Sequence, residues 1–315
     1  MTEAIRLIIP TYNRPTYLSR ALKYYEDGDV DFPITVADSS THDQYAQNAD
    51  CIKSSSLSIT HDRYPETINP HYKFAEARKK VAETYALLAS DDDFIVPRAI
   101  QEARRILDAR PDVVLVHGAY MAFRADKASQ SFVSYPIYGH ATLKSESPLA
   151  RIEKHISRYF PTHFALMRTT AAHKAYAALV DNNIDPMLWG ELLPSFLMPI
   201  FGKEIVMDRL WAVRDSNATG KHTWPTLQEL QASGRYEAPY RAMKAVFARE
   251  LAPYTSDPEM FVDRMLALYI QKLTAPRPTS AVTKLFNRIR ARFAKEYANA
   301  RYRNELQRVR ATVLQ

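Results

Sequence analysis

Short apolar runs alternating with helix-like segments set the pattern of the first 125 residues. IRLIIP reads as a buried strand stopped by Pro10, and TYNRPTYLSRALKYYEDGD as a loop entering an amphipathic helix, with Leu18, Ala21, Leu22 and Tyr25 at helical spacing. PITVADSS predicts a second strand whose polar end falls at Asp38, and SLSITHDRY a third, followed by a helix from about Pro70 to Glu83. TYALLAS predicts a central strand ended by Asp91, Asp92 and Asp93. VPRAIQEARRILDARPD then predicts a helix stopped near Pro111, and VVLVHGAYMAF is the clearest strand in the chain. Such alternation implies a mostly parallel sheet with helices on its faces, and ligands in such sheets sit at the carboxyl ends of the strands. Asp38 and the Asp triplet both fall there.

Beyond residue 125 the pattern loosens. A polar stretch reads as a loop or irregular strand pair, SPLARIEKHISRYF as a helix, and THFALMR as a strand. DPMLWGELLPSFLMPIFG reads as a buried helix interrupted by prolines, and KEIVMDRLWAVRDS as a strand emerging into polar residues. Two further helical stretches and the linker APRPTSAV lead to a basic tail. No internal repeat is visible. The division expected is 1–220 as one α/β domain (1–125 binding a nucleotide, 126–220 the acceptor), 221–276 as a helical extension and 277–315 as the tail.

The 315 residues, 46% hydrophobic and 11% aromatic, are enough for a substantial core. The lone cysteine, Cys51, has no intramolecular disulfide partner. The start MTEAIRLIIPTYNRP lacks the features of a secretion signal, and no apolar run is long enough to span a bilayer. A reducing cytoplasm is the expected address. The formal charge of +7 is concentrated at the end: from Arg277 onward ten Lys or Arg face Glu296 and Glu305, about +8, so the rest is about −1. That distribution argues against a nucleic-acid-binding body.

Three adjacent carboxylates repel one another, and a divalent cation would offset that cost. The competing explanation is a helix N-terminus, where Asp caps free amides, although one Asp is enough for a cap. If the chain is extended there, Asp91 and Asp93 face the same side while Asp92 points elsewhere and should tolerate Asn best. No GxxxxGK or GxGxxG loop is present to cradle a phosphate.

The stretches LIIPTYNRPTYLSRAL, TVADSS and LLASDDDFIVP, in that order and spacing, resemble family 2 glycosyltransferases over roughly the first 125 residues, with a weaker match to about residue 217. The resemblance implies a GT-A fold (a Rossmann-like mixed sheet flanked by helices, here with a C-terminal helical extension) and inverting transfer of a sugar from a nucleotide donor, UDP-linked by expectation. It places Pro10, Thr11, Tyr12 and Arg14 near the base and ribose, Asp38 at the base, Asp91 toward ribose, and Asp91 and Asp93 as the Asp-x-Asp pair holding Mn²⁺ or Mg²⁺ on the diphosphate. The family's general base lies in a Glu-Asp-type motif at a helix start. Trp189-Gly190-Glu191-Leu192 is the counterpart and makes Glu191 the candidate, with Asp185 as the alternative; the motif departs from the usual pair.

In WAVRDSNATGKHTW, a loop able to close over the diphosphate would use His222 as a third metal ligand and Arg214 or Lys221 on phosphate oxygens; an ordinary surface loop accounts for them equally well. Lone His61, His117 and His163 lack paired ligand spacing and read as structural. The tail repeats Leu285, Phe286, Ile289, Phe293 and Tyr297 at three- and four-residue intervals between basic residues. That is either an amphipathic helix on an anionic membrane, placing the protein peripherally on the inner face of the plasma membrane, or a helix packed on the domain or a partner. A lipid-linked or cell-envelope saccharide acceptor would follow from the first. The alternatives to an enzyme of this class are a non-catalytic scaffold recruited to membranes by the tail, or a sugar nucleotidyltransferase, which IIPTYNRPT disfavours for want of glycine.

Overall fold

The computed structural model describes residues 4–137, 141–184, 186–217, 227–274 and 281–315. Nine strands occur among them: β1 Ile5–Thr11, β2 Ile34–Asp38, β3 Ile59–Arg63, β4 Tyr85–Leu88, β5 Asp93–Ile95, β6 Val113–Asp126, β7 Ser131–Ile137, β8 Leu166–Arg168 and β9 Lys203–Asp215. The helices are α1 Pro15–Glu26, α2 His42–Lys53, α3 Pro70–Lys79, α4 Pro97–Ala109, α5 Pro148–Ser157, α6 Thr169–Asp181, α7 Pro186–Phe201, α8 Leu227–Ala232, α9 Glu237–Leu251, α10 Pro258–Thr274, α11 Ala281–Arg301 and α12 Arg303–Leu314.

The strands form one mixed sheet in the order β3-β2-β1-β4-β8-β6-β9-β5, with β7 on β6. Strands β1 to β4 pair in parallel, as their alternation with helices requires. The antiparallel pairs are β4–β8, β5–β9, β6–β7 and β6–β8, while β6 and β9 pair in parallel, so the sheet is mixed, as the GT-A resemblance implies. Ile5, Leu7, Ile8 and Ile9 of β1 are buried because helices cover both faces of a central strand.

Three expectations change. Pro10 does not stop β1, which runs on to Thr11: Pro10 pairs with Ala37 of β2, and the β4 ladder has already ended at Ile8, so the missing N–H is not needed on that side. The helix after β3 ends at Lys79 rather than Glu83. The helix expected to be interrupted by prolines is the single element α7, with Pro194 and Pro199 inside it. It buries Leu192, Leu193, Phe196 and Leu197, and Arg151 of α5 donates to its terminal carbonyls at Pro199 and Ile200 (2.7 and 3.2 Å). Burial of an almost wholly apolar helix outweighs the backbone bonds that prolines remove.

Two main cores lie on the two faces of the sheet and run across the sequence boundaries at 220 and 276. One joins α1, α4 and the sheet to Leu306, Val309 and Val313 of α12; the other joins α6 and α7 to Phe247 of α9 and Leu266 of α10. The basic tail is thus partly a packed element of the domain. No helix among the described residues is long and apolar enough to cross a membrane.

Candidate active site

The carboxyl ends of β1, β2 and β4 converge, and the site is built from the residues that follow them. After Thr11 the chain turns at Asn13, in the left-handed region (φ 54°) that asparagine tolerates. The Asn13 side chain accepts from Thr41 N at 2.9 Å, and the backbone N–H of Asn13 donates to Ser40 Oγ at 2.8 Å, tying the β1 loop to the β2 loop. Tyr12, 40% exposed, stands at the mouth of a groove of about 400 Å³ that it lines with Arg14, Tyr17, Gln44 and Gln47. An exposed aromatic there can stack on a planar base.

Asp91 and Asp92 lie in a turn between β4 and β5, and Asp93 opens β5; all three are buried. Arg14 spans the first two, Nη1 donating to Asp91 Oδ1 at 2.8 Å and Nη2 to Asp92 Oδ2 at 3.0 Å. Thr11 Oγ1 donates to the other Asp91 oxygen at 2.8 Å, and Ser90 to Asp92. The expected division, with Asp91 and Asp93 on one side and Asp92 apart, does not hold: strand alternation has no force in a turn, and Asp91 and Asp92 share one guanidinium. Asp93 is the register partner of Arg214 across β5 and β9, and Arg214 Nε donates to its Oδ2 at 2.8 Å. Burial pushes the Asp91 carboxyl up to about 7 against the opposing pull of Arg14, Thr11 and Lys73. Desolvation also weighs on Arg14, but Asp91 and Asp92 outweigh it and hold its guanidinium above the ordinary value.

Asp38, 0% exposed, accepts from Ser40 N and Asn48 Nδ2, both at 2.8 Å, and faces His61 Nε2 at 3.0 Å. Burial alone would raise its pKa; the bonds from His61, Ser40 and Asn48 outweigh it and hold the carboxyl below its ordinary value. Asp38 thus ties the end of β2 to Ser40, to Asn48 of α2 and to His61 of β3.

Lys73, from α3, is a site residue the sequence did not single out. Its Nζ donates to Thr11 O at 2.7 Å and Ser39 Oγ at 2.8 Å, between Asp38 and Asp91. Burial pulls it down to about 8, partly offset by Asp91 and Asp38. In HYKFAEARKK it looks like one more basic residue of a solvated helix; no local signal separates it from Lys79 or Lys80.

Glu191 lies on α7, largely buried, and accepts the Tyr159 hydroxyl at Oε1 (2.8 Å). Burial raises its pKa, while the Tyr159 bond and the charge of Arg214 oppose the rise. Arg214 thus acts on both Asp93 and Glu191, which the fold brings to the same region. The residue before Glu191 permits this approach: a Cβ on Gly190 would fall 2.5 Å from Cγ of His71, at the start of the helix that carries Lys73. Asp215, beside Arg214, is held by Arg20 of α1 at 3.0 Å. Asp185, Lys221 and His222 lie outside the described residues.

Among the described residues no group of three His, Cys, Asp or Glu is assembled around a metal position. The donor chemistry nevertheless fits a hard divalent cation. Three buried carboxylates outnumber the two guanidiniums bonded to them, and oxygen ligands are what Mg²⁺ and Mn²⁺ take.

No protein-family model and no curated protein matches the chain. Solved structures do. TarS of S. aureus is 17% identical over 89% of this chain, with a TM-score of 0.54, and the chain spans 44% of that protein's length. TarS 1-349 in complex with UDP-GlcNAc is 19% identical over 85% of this chain and 72% of that one, with a TM-score of 0.56; its complex with UDP is 17% identical over 85% and 71%, with a TM-score of 0.52. At these identities the likeness concerns the fold, a GT-A-like mixed sheet flanked by helices.

Proposed function

We propose that the protein is an inverting glycosyltransferase that moves a sugar from a UDP-linked donor to an acceptor hydroxyl. The observation that carries this reading is the convergence of Tyr12, Arg14, Lys73 and the triplet Asp91–Asp93 at the carboxyl ends of the strands, with Glu191 brought alongside through Arg214. UDP-GlcNAc and UDP in structures of TarS support a uridine donor.

Tyr12 would stack on the base, with Thr11, Arg14 and Asp91 around the ribose. Asp93 and Asp91 would hold Mn²⁺ or Mg²⁺, which when bound neutralises charge developing on the departing diphosphate. Lys73 adds a buried positive charge on the same side. The acceptor oxygen attacks the anomeric carbon from the face opposite the diphosphate; the new C–O bond forms as the sugar–phosphate bond breaks, and Glu191 takes the hydroxyl proton. Arg214 stabilises the ionised form of Glu191 that accepts it. A lipid-linked or cell-envelope saccharide is the acceptor class consistent with a basic C-terminal helix that holds the enzyme at an anionic surface.

Calorimetry with UDP, with and without Mn²⁺, tests the donor site: metal-dependent binding lost in Asp93→Asn supports the enzyme, and failure of any nucleotide to bind supports a non-catalytic scaffold. A screen of common nucleotide sugars for hydrolysis identifies the donor. Glu191→Gln should still bind UDP but lose about 10²- to 10⁴-fold in turnover; retained turnover removes Glu191 from the role.

A further inference from the structure

Among its described side chains, helix α11 meets the domain only near its C-terminal end: Ala298 is buried, and Asn299 exchanges hydrogen bonds with Ser134 of β7, accepting from its hydroxyl at 2.7 Å, whereas residues 289–294 are exposed. Three of its large apolar residues are turned outward. Ile289, Phe293 and Tyr297, at four-residue intervals, are 46%, 68% and 65% exposed. Three and four apart on a helix is one face, so these side chains form a continuous stripe about two turns long. A surface helix of a globular protein normally does the reverse.

The orientation is held from the C-terminal side. Leu306, Val309 and Val313 of α12 are sealed into the core against α1, and Arg301 at the end of α11 is bonded to Asp208. Turning the stripe inward would break that anchorage. On the wheel of α11 the stripe is bordered on one side by Arg290 and on the other by Arg292, which is paired with Glu296 at 3.0 Å; both arginines are exposed, and the segment from Arg277 to the end carries about +8.

We propose that this face of α11 docks on an anionic membrane surface, with Ile289, Phe293 and Tyr297 entering the headgroup boundary and Arg290 and Arg292 facing lipid phosphates. An apolar stripe with basic borders is the composition that binds such an interface, where buried apolar area and attraction to anionic lipid add. Aromatic residues are favoured at that depth. A second copy of the chain is a poorer occupant: a two-fold contact through this stripe would bring together two segments of about +8 each. The inference rests on surface chemistry alone and stands whether or not the protein transfers sugars.

The test is flotation of the full-length protein with vesicles of phosphatidylcholine alone and with added phosphatidylglycerol. Wild type should float with the anionic vesicles and bind neutral ones at least about tenfold more weakly, with binding that falls as salt rises. Ile289→Ser/Phe293→Ser/Tyr297→Ser and, separately, Arg290→Glu/Arg292→Glu should each lose about tenfold in binding to anionic vesicles. The residues changed are exposed, so unchanged far-UV dichroism and melting serve as the folding control. Equal flotation of the triple-serine variant and wild type, or no flotation of wild type, overturns the proposal. So does a concentration-dependent oligomer of wild type that the triple-serine variant abolishes, which would assign the stripe to a second copy.

Discussion

Tyr159 donates its hydroxyl hydrogen to Glu191 Oε1 at 2.8 Å, so the candidate base enters the site already oriented by one strong donor. That bond stabilises the charged carboxylate. Its removal in Tyr159→Phe should raise the pKa of Glu191 further above the ordinary carboxylate value that burial already makes it exceed. A base works deprotonated, so the acid limb of the kcat/KM profile should move to higher pH, with activity recovering on the alkaline side. A uniform fall at every pH would mean that Tyr159 serves packing alone.

Arg14 is the common partner of Asp91 and Asp92, and its loss would remove the guanidinium bonded to both buried carboxylates, leaving Lys73 as a more distant counter-charge to Asp91. Arg14→Ala should cost about 3–5 kcal/mol in urea denaturation, and Arg14→Lys should not restore it, because an ammonium is a point charge and cannot fork across two carboxylates. Asp92→Asn should cost about 1.5–3 kcal/mol through the weakened charge-assisted bond. A silent Asp92→Asn would restore the strand-alternation picture of the triplet.

Gly190→Ala sets two effects of opposite sign against each other. Alanine is favoured over glycine inside a helix by about 1 kcal/mol. The new methyl would press on Cγ and Cβ of His71 at 2.5 and 2.7 Å, close to the ring's attachment rather than at a flexible tip, and overpacking of that kind costs about 1–3 kcal/mol. The clash should win, with lower stability and with turnover reduced as Glu191 is displaced. In a His71→Ala background, which removes Cγ but keeps Cβ at 2.7 Å, the cost should shrink, and a double-mutant cycle by urea melting checks it.

His155 and Glu204 are buried 3.8 Å apart, and burial favours the neutral form of each: Glu204 is pushed up to about 8 with Arg151 opposing, and His155 pulled down to about 3 with His117 adding to the fall. Because the folded-state pKa of Glu204 lies above its ordinary 4.5, its contribution is complete below that value and is lost as pH rises toward 8. His155 works the other way, contributing above 6.5 and losing as pH falls toward 3. Glu204→Gln should therefore flatten the decline in melting temperature between pH 5 and 8 while leaving the acid decline in place. An unchanged alkaline slope would assign the decline to other groups.

Much of the fold and part of the site were legible in the chain. Strands β1, β2 and β4 announce themselves as short apolar runs because a central strand covered on both faces has no polar alternation to hide behind. Asp38 and Asp91 to Asp93 stand out because polar residues directly after such runs have to emerge at one edge of the sheet, whereas Thr11 was marked only by the family resemblance. Of the antiparallel insertions, β8 falls within THFALMR, which reads as a strand, whereas β5 is three residues long and exists only through its partner β9. Lys73 and Tyr159 carried no signal, because a basic residue on a polar helix and a tyrosine after a helix look the same whether buried or solvated.

Local order along the chain therefore determined the strand sequence, the strand ends and the chemistry standing at them. Tertiary structure alone decided how the charges are shared. Arg14 lies 77 and 78 positions from the aspartates it bridges, and Arg214 lies 121 from Asp93. Coulombic and hydrogen-bond energies depend on distance in space and on burial, which sequence spacing does not encode. The same reason governs α11, whose amphipathic pattern was plain while the direction its apolar side faces was set by the packing of α12 behind it.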